Sequence, residues 1–100
     1  MFKKSDLNPD YSYNNFYHAG NNGSIIIHLP QKDVLNRDEP YEVIHFINSF
    51  AKEYGWDKSR SQFFITACKK LETMIKTKLP DNIDSKEKIK NWVINNWDRY

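Results

Sequence analysis

A single cysteine, Cys68, in a chain of 100 residues rules out an internal disulfide and fits a reducing compartment. Nothing approaches the run of about 18 apolar residues that a membrane-spanning helix needs. The opening MFKKSDLNPDYSYNN has no apolar stretch after its lysines, so it does not read as a secretory signal. His18, His28 and His45 are not at metal-ligand spacing, and neither Cys-x-x-Cys nor His-x-x-x-His occurs. Gly20 and Gly23 lack the Lys-Ser/Thr that follows a phosphate-cradling loop. Internal repeats and low-complexity segments are missing as well. These absences predict a cytoplasmic, non-enzymatic protein with no metal, cofactor or membrane partner.

What is present is a polar but aromatic-rich chain, with mean hydropathy −0.82 and 15% Phe, Trp and Tyr. A disordered tail would carry far fewer rings. One domain of this size buries only about two-thirds of its unfolded surface, so pairing with a second copy would help it. Charge is uneven along the chain. Residues 1–57 carry five basic and eight acidic side chains, whereas residues 58–100 carry ten basic and five acidic. The basic half suits phosphates, although helical lysines also serve as plain solubilising groups.

Tyr11–His18 roughly alternates polar and aromatic residues, and Gly20-Asn-Asn-Gly23 is a turn signal. Residues 1–23 therefore form either an edge strand leading into a hairpin or an arm. Ser24-Ile-Ile-Ile-His-Leu29 reads as a strand stopped by Pro30. Asp38-Glu39-Pro40 opens a helix carrying Val43, Ile44, Ile47, Phe50, Ala51 and Tyr54 on one face, with Gly55 at its C-cap. A second helix starts at or near Ser59, presents Phe63, Phe64, Ala67, Cys68, Leu71, Met74 and Ile75 inward, and turns Lys69, Lys70 and Lys76 outward. It ends before Leu79-Pro80. Cys68 sits on the apolar stripe and is expected to be a buried, unreactive thiol. Asp84 and Glu87 have capping-box spacing for a third helix bearing Ile89, Trp92, Val93 and Trp97. The two tryptophans can stack on bases, but their helical spacing points to packing.

The order strand, helix, glycine turn, helix resembles the ribbon-helix-helix DNA-binding family. The resemblance rests on Ser24–Pro30, which ends in Leu-Pro, and on Gly55 followed by Ser59-Arg-Ser-Gln-Phe-Phe-Ile-Thr-Ala67. It covers residues 24 to about 76. The connector from Pro30 to Gly55 is about ten residues longer than in compact members, as in longer members resembling the methionine repressor, and the turn after Gly55 is two residues longer. The resemblance implies a mainly α fold with a short β-strand, whose ribbon forms across a homodimer. Three stretches follow: residues 1–23 as the arm or edge strand, 24–79 as the DNA-binding unit and 80–100 as a C-terminal helix that braces the dimer or docks a protein. Ser24, Ile26 and His28 would face the bases of double-stranded DNA, while Lys58, Ser59, Arg60 and Ser61 would hold a phosphate at a helix N-terminus. Such a protein would be a sequence-specific transcriptional repressor or a plasmid or phage DNA-processing accessory factor.

Two other readings fit the same residues. In one, residues 40–54 and 59–78 form a winged helix-turn-helix with the 11–29 hairpin as wing. In the other, Tyr11, Tyr13, Phe16 and Tyr17 form the interface of a protein-binding module such as an immunity protein, inhibitor or antitoxin.

Overall fold

The structure, a computed structural model, describes residues 2–13, 33–58 and 61–100. Helix α1 spans Pro40–Glu53. Pro40 stands in the first turn, where a missing N–H loses no partner, and the Glu39 carboxylate accepts from the Tyr41 N–H at 3.3 Å. Val43, Phe46, Ile47, Phe50 and Ala51 are buried, the three-and-four spacing of one helical face. Phe46 joins the predicted face, and Tyr54 leaves it, 44% exposed. The helix stops at Gly55, whose φ of 74° lies in the left-handed region and whose N–H reaches the Lys52 carbonyl at 3.2 Å. Open space surrounds the place a Cβ would take. Backbone conformation, not crowding, therefore favours glycine there.

A 3₁₀ turn over Trp56–Lys58 leads to helix α2, Ser61–Thr73. Phe64, Ala67, Cys68 and Leu71 are buried as the periodicity predicts. Phe63 is not: it is 52% exposed, because one residue before Phe64 is about 100° around the helix from the inward face. Beyond Thr73 the chain widens into a π turn, Met74–Lys78, which keeps Met74 and Ile75 inward. The Leu79 N–H closes it on the Met74 carbonyl at 2.8 Å. Leu79 is extended, as the residue before a proline prefers.

Helix α3 spans Lys86–Asn96 and ends in a 3₁₀ turn, Trp97–Arg99. Ile89 and Val93 are fully buried, with Trp92 and Trp97 packed beside them. The start of α3 corrects the expected capping box. Ser85 is the N-cap and no side chain caps the helix. The Lys86 N–H instead donates to the Asp33 carbonyl at 2.8 Å, and Leu35 donates to the Asp84 carbonyl at 2.9 Å. This isolated antiparallel bridge, Val34 to Ser85, supplies from a distant backbone the acceptor a helix start requires.

The described residues are mainly helical and contain no strand. The predicted strand Ser24–Leu29, the ribbon it would form and most of the 11–29 hairpin lie outside the described residues. One core joins Phe2 and Leu35 to α1, α2 and the inner face of α3. No helix among the described residues is long and apolar enough to cross a membrane.

Candidate functional site

The residues predicted to touch DNA fall mostly outside the described part. Ser24, Ile26 and His28 lie beyond it, as do Ser59 and Arg60. Lys58 is exposed at the end of the 3₁₀ turn, its N–H on the Gly55 carbonyl at 3.2 Å. Ser61 is the first residue of α2. The turn that Gly55 permits thus delivers Lys58 to the approach of that helix.

The outer surface of α2 continues from there. Gln62, Phe63, Thr66 and Lys69 are exposed, and Lys70 is half-buried. Gln62, Thr66 and Lys69 follow one another by four and three residues, which places them in one row. Between Ser61 and Lys78 there is a single carboxylate, Glu72, and it is turned inward, 1% exposed. The exposed face of α2 therefore carries lysine ammonium groups, hydroxyl and amide groups, and no negative charge.

Glu72 organises the other side of the helix. Its two oxygens each take the Asn8 N–H at 3.1 Å, and Oε2 also takes the Tyr13 hydroxyl at 2.7 Å. The sequence held a signal for this residue, since Glu72 stands four residues after Cys68 and three before Ile75, on the apolar stripe. Burial first, then the bond to Glu72, pushes the Tyr13 phenol far above its ordinary value, so it stays a neutral donor. Tyr11 adds a 2.8 Å contact between its hydroxyl and that of Thr73. Tyr11 and Tyr13 are half-buried, with their hydroxyls bonded within the chain. Phe16 and Tyr17 lie outside the described residues.

Lys76 departs from the solvated position its spacing predicts. Its side chain is 8% exposed, and Nζ donates to the carbonyls of Ser12 at 2.6 Å and Arg37 at 2.8 Å, with Asp38 Oδ1 at 3.4 Å and the Tyr13 ring centroid at 4.2 Å. Arg37 spreads its guanidinium over the carbonyls of Leu79 and Ile83, each at 2.8 Å, and of Pro80. A polar cleft of about 340 Å³ lies between Leu35–Asp38, Lys76 and Asp81. Its two cations are already satisfied by backbone oxygens, so it is a structural junction. Phe2 closes the N-terminal strap: its N–H and carbonyl meet the Asn48 amide at 2.9 and 2.8 Å while its ring is buried.

At the far end of α2, lysines meet rings. Lys70 Nζ lies 4.3 Å from the Trp97 ring centroid, and Lys78 Nζ lies 5.4 Å from that of Tyr100. Trp97 packs on Trp56 at 5.3 Å, and Tyr100 stacks with Trp92 at 6.2 Å. Burial pushes the Cys68 thiol up to about 11, which keeps it protonated and poorly nucleophilic near neutral pH. No group of three His, Cys, Asp or Glu side chains able to hold a metal occurs among the described residues. No protein-family model matches the chain, and no characterised protein or solved structure shows significant similarity to it.

Proposed function

We propose that the protein is a non-enzymatic, sequence-specific double-stranded DNA-binding protein that works as a homodimer, as a transcriptional repressor or a DNA-processing accessory factor. The observation that supports this most is the acid-free outer face of α2, reached through a glycine turn that also presents Lys58. Ammonium groups along such a face can pair with phosphates, while Gln62 and Thr66 offer hydrogen bonds to base edges.

Two docking geometries share that surface. With α2 in the major groove, the unit works as a helix-turn-helix, and the segment following Tyr11 and Tyr13, tied to α2 through Thr73 and Glu72, serves as wing. With strands Ser24–Leu29 of two copies paired as a ribbon, Ser24, Ile26 and His28 read bases, and Lys58 with residues 59–61 holds a phosphate. The inward placement of Glu72 favours the first geometry, and the resemblance at residues 24–30 and 55–67 favours the second.

Fluorescence anisotropy against mixed-sequence duplex DNA tests the proposal. Log K is expected to fall against log salt by roughly 0.9 per phosphate neutralised. A flat response, or no binding at low salt, overturns DNA binding. Lys69→Ala and Lys70→Ala weaken binding more than His28→Ala if α2 enters the groove. His28→Ala changes sequence preference if the ribbon does.

A further inference from the structure

We infer that the C-terminal turn is part of the DNA-binding surface: Trp97 and Tyr100 are positioning residues that hold the ammonium groups of Lys70 and Lys78 toward the phosphates of duplex DNA. This inference rests on the DNA-binding reading and adds Lys78, Trp97 and Tyr100, which that reading does not use.

The geometry begins with the π turn. Along an uninterrupted α-helix, eight steps of about 100° would leave Lys78 roughly 80° around the axis from Lys70. The π turn over Met74–Lys78 winds more slowly, one extra residue in its hydrogen-bonded ring, and takes back most of that angle. The outcome is visible in the partners: Lys70 reaches Trp97 and Lys78 reaches Tyr100, rings only three residues apart around one 3₁₀ turn. Lys70 of α2 and Lys78 of the π turn therefore lie along one edge, the one that faces the C-terminal 3₁₀ turn. About 12 Å of helix rise separates them, comparable with the width of a major groove.

The rings also do something a bare lysine cannot. A free lysine side chain loses rotamer entropy when a phosphate fixes it. An ammonium already held over an aromatic face has lost part of that freedom and keeps its full charge. The rings are themselves fixed, Trp97 by Trp56 and Tyr100 by Trp92. Tyr100 is 50% exposed and Lys78 is exposed, so a backbone can approach them. Charge complementarity points this edge to nucleic acid: neither α2 nor the π turn after it carries an exposed carboxylate, and the exposed Asp98 of the 3₁₀ turn, the acid between Trp97 and Tyr100, is flanked by Arg99.

The test is a double-mutant cycle on duplex affinity, using the full chain with Tyr100→Leu, Lys78→Ala and the pair, together with Trp97→Leu and Lys70→Ala. Tyr100→Leu is expected to weaken binding roughly two- to fivefold with an unchanged salt slope, since no charge is lost. Lys78→Ala is expected to weaken binding and lower the slope by about 0.9. The pair should weaken binding less than the product of the two single effects. Urea midpoints measured in parallel separate this from lost folding, and the exposed Tyr100 keeps the test open should Trp97→Leu unfold. Ring variants that leave affinity unchanged, or strictly multiplicative losses, overturn the inference while DNA binding stands. Failure of the wild-type protein to bind any duplex overturns both.

Discussion

Glu72 is buried in the core, where among the described residues it accepts from the Asn8 N–H and the Tyr13 hydroxyl, so the loss of either donor should be felt. Tyr13→Phe removes a hydrogen bond to a charged group, worth about 1.5–3 kcal/mol, and the loss should appear as a lower urea midpoint with an unchanged slope. Glu72→Ala leaves both Asn8 and Tyr13 without an acceptor, so its cost should exceed that of Tyr13→Phe. Equal stability of either variant and the wild type would show that the strap contributes nothing at this point. Cys68 gives a pH signature. Its thiol is protonated up to about 11 in the folded chain against an ordinary value near 8.5–9. The folded state thus holds a proton that the unfolded state releases first. The stability this contributes is complete below the unfolded value and declines as pH rises toward the folded one, by at most about 1.4 kcal/mol per pH unit. Cys68→Ala should flatten the fall in stability between pH 9 and 11, measured by urea unfolding across that range. A slope identical to wild type would contradict the burial of the thiol. The Tyr13 phenol shifts in the same direction but from a higher ordinary value, so its contribution begins to fade only above about pH 10.

Elements show which parts of the fold are written locally. The starts and stops of α1 are legible in Glu39-Pro40 and Gly55, because caps and prolines act through their own backbone. The buried faces of α1 and α3 follow from spacing for the same reason. Helix α2 is where local reasoning stops short. Phe63 and Lys76 exchange the environments their types suggest: Phe63 is turned out by its place on the helix beside Phe64, whereas Lys76 is drawn inward by the distant carbonyls of Ser12 and Arg37. The π turn and the Val34–Ser85 bridge are equally non-local. Of the predicted DNA contacts only Lys58 and the position of Ser61 at the head of α2 can be placed, and the acid-free face of α2 becomes legible once Glu72 is known to point inward. Two substitutions separate local from distant control. Gly55→Ala has room for its methyl but not the conformation, so it should cost about 1–2 kcal/mol in thermal or urea unfolding, and Gly55→Asn less. Asp84→Ala should stay within about 0.5 kcal/mol of wild type, since α3 starts on the Asp33 carbonyl. A loss of about 1 kcal/mol, the usual worth of a capping side chain, would restore the capping box.

At the scale of the whole molecule, the question is whether residues 24–79 can stand alone as a DNA-binding unit. The core argues against it. Phe2 comes from the first turn of the chain, and Ile89 and Val93 from the last helix, yet all three belong to the same buried cluster as Phe50, Leu71 and Ile75. Truncating one large apolar side chain in such a core costs about 2–5 kcal/mol, and a small domain has only about 5–15 kcal/mol in total. A chain ending at Leu79 loses Ile89 and Val93 together with the bridge partner of Val34, and should be unfolded at 25 °C. The intact chain, by contrast, should unfold in one cooperative step. Far-ultraviolet circular dichroism, which reports all three helices, and fluorescence of Trp56, Trp92 and Trp97, which reports the α3 end, should then give coincident urea transitions. A truncated chain that keeps its helicity and a cooperative transition would mean that α3 is an accessory on a self-sufficient unit. Loss of both would mean that any DNA-binding surface on α2 exists only because the two ends of the chain close over its inner face.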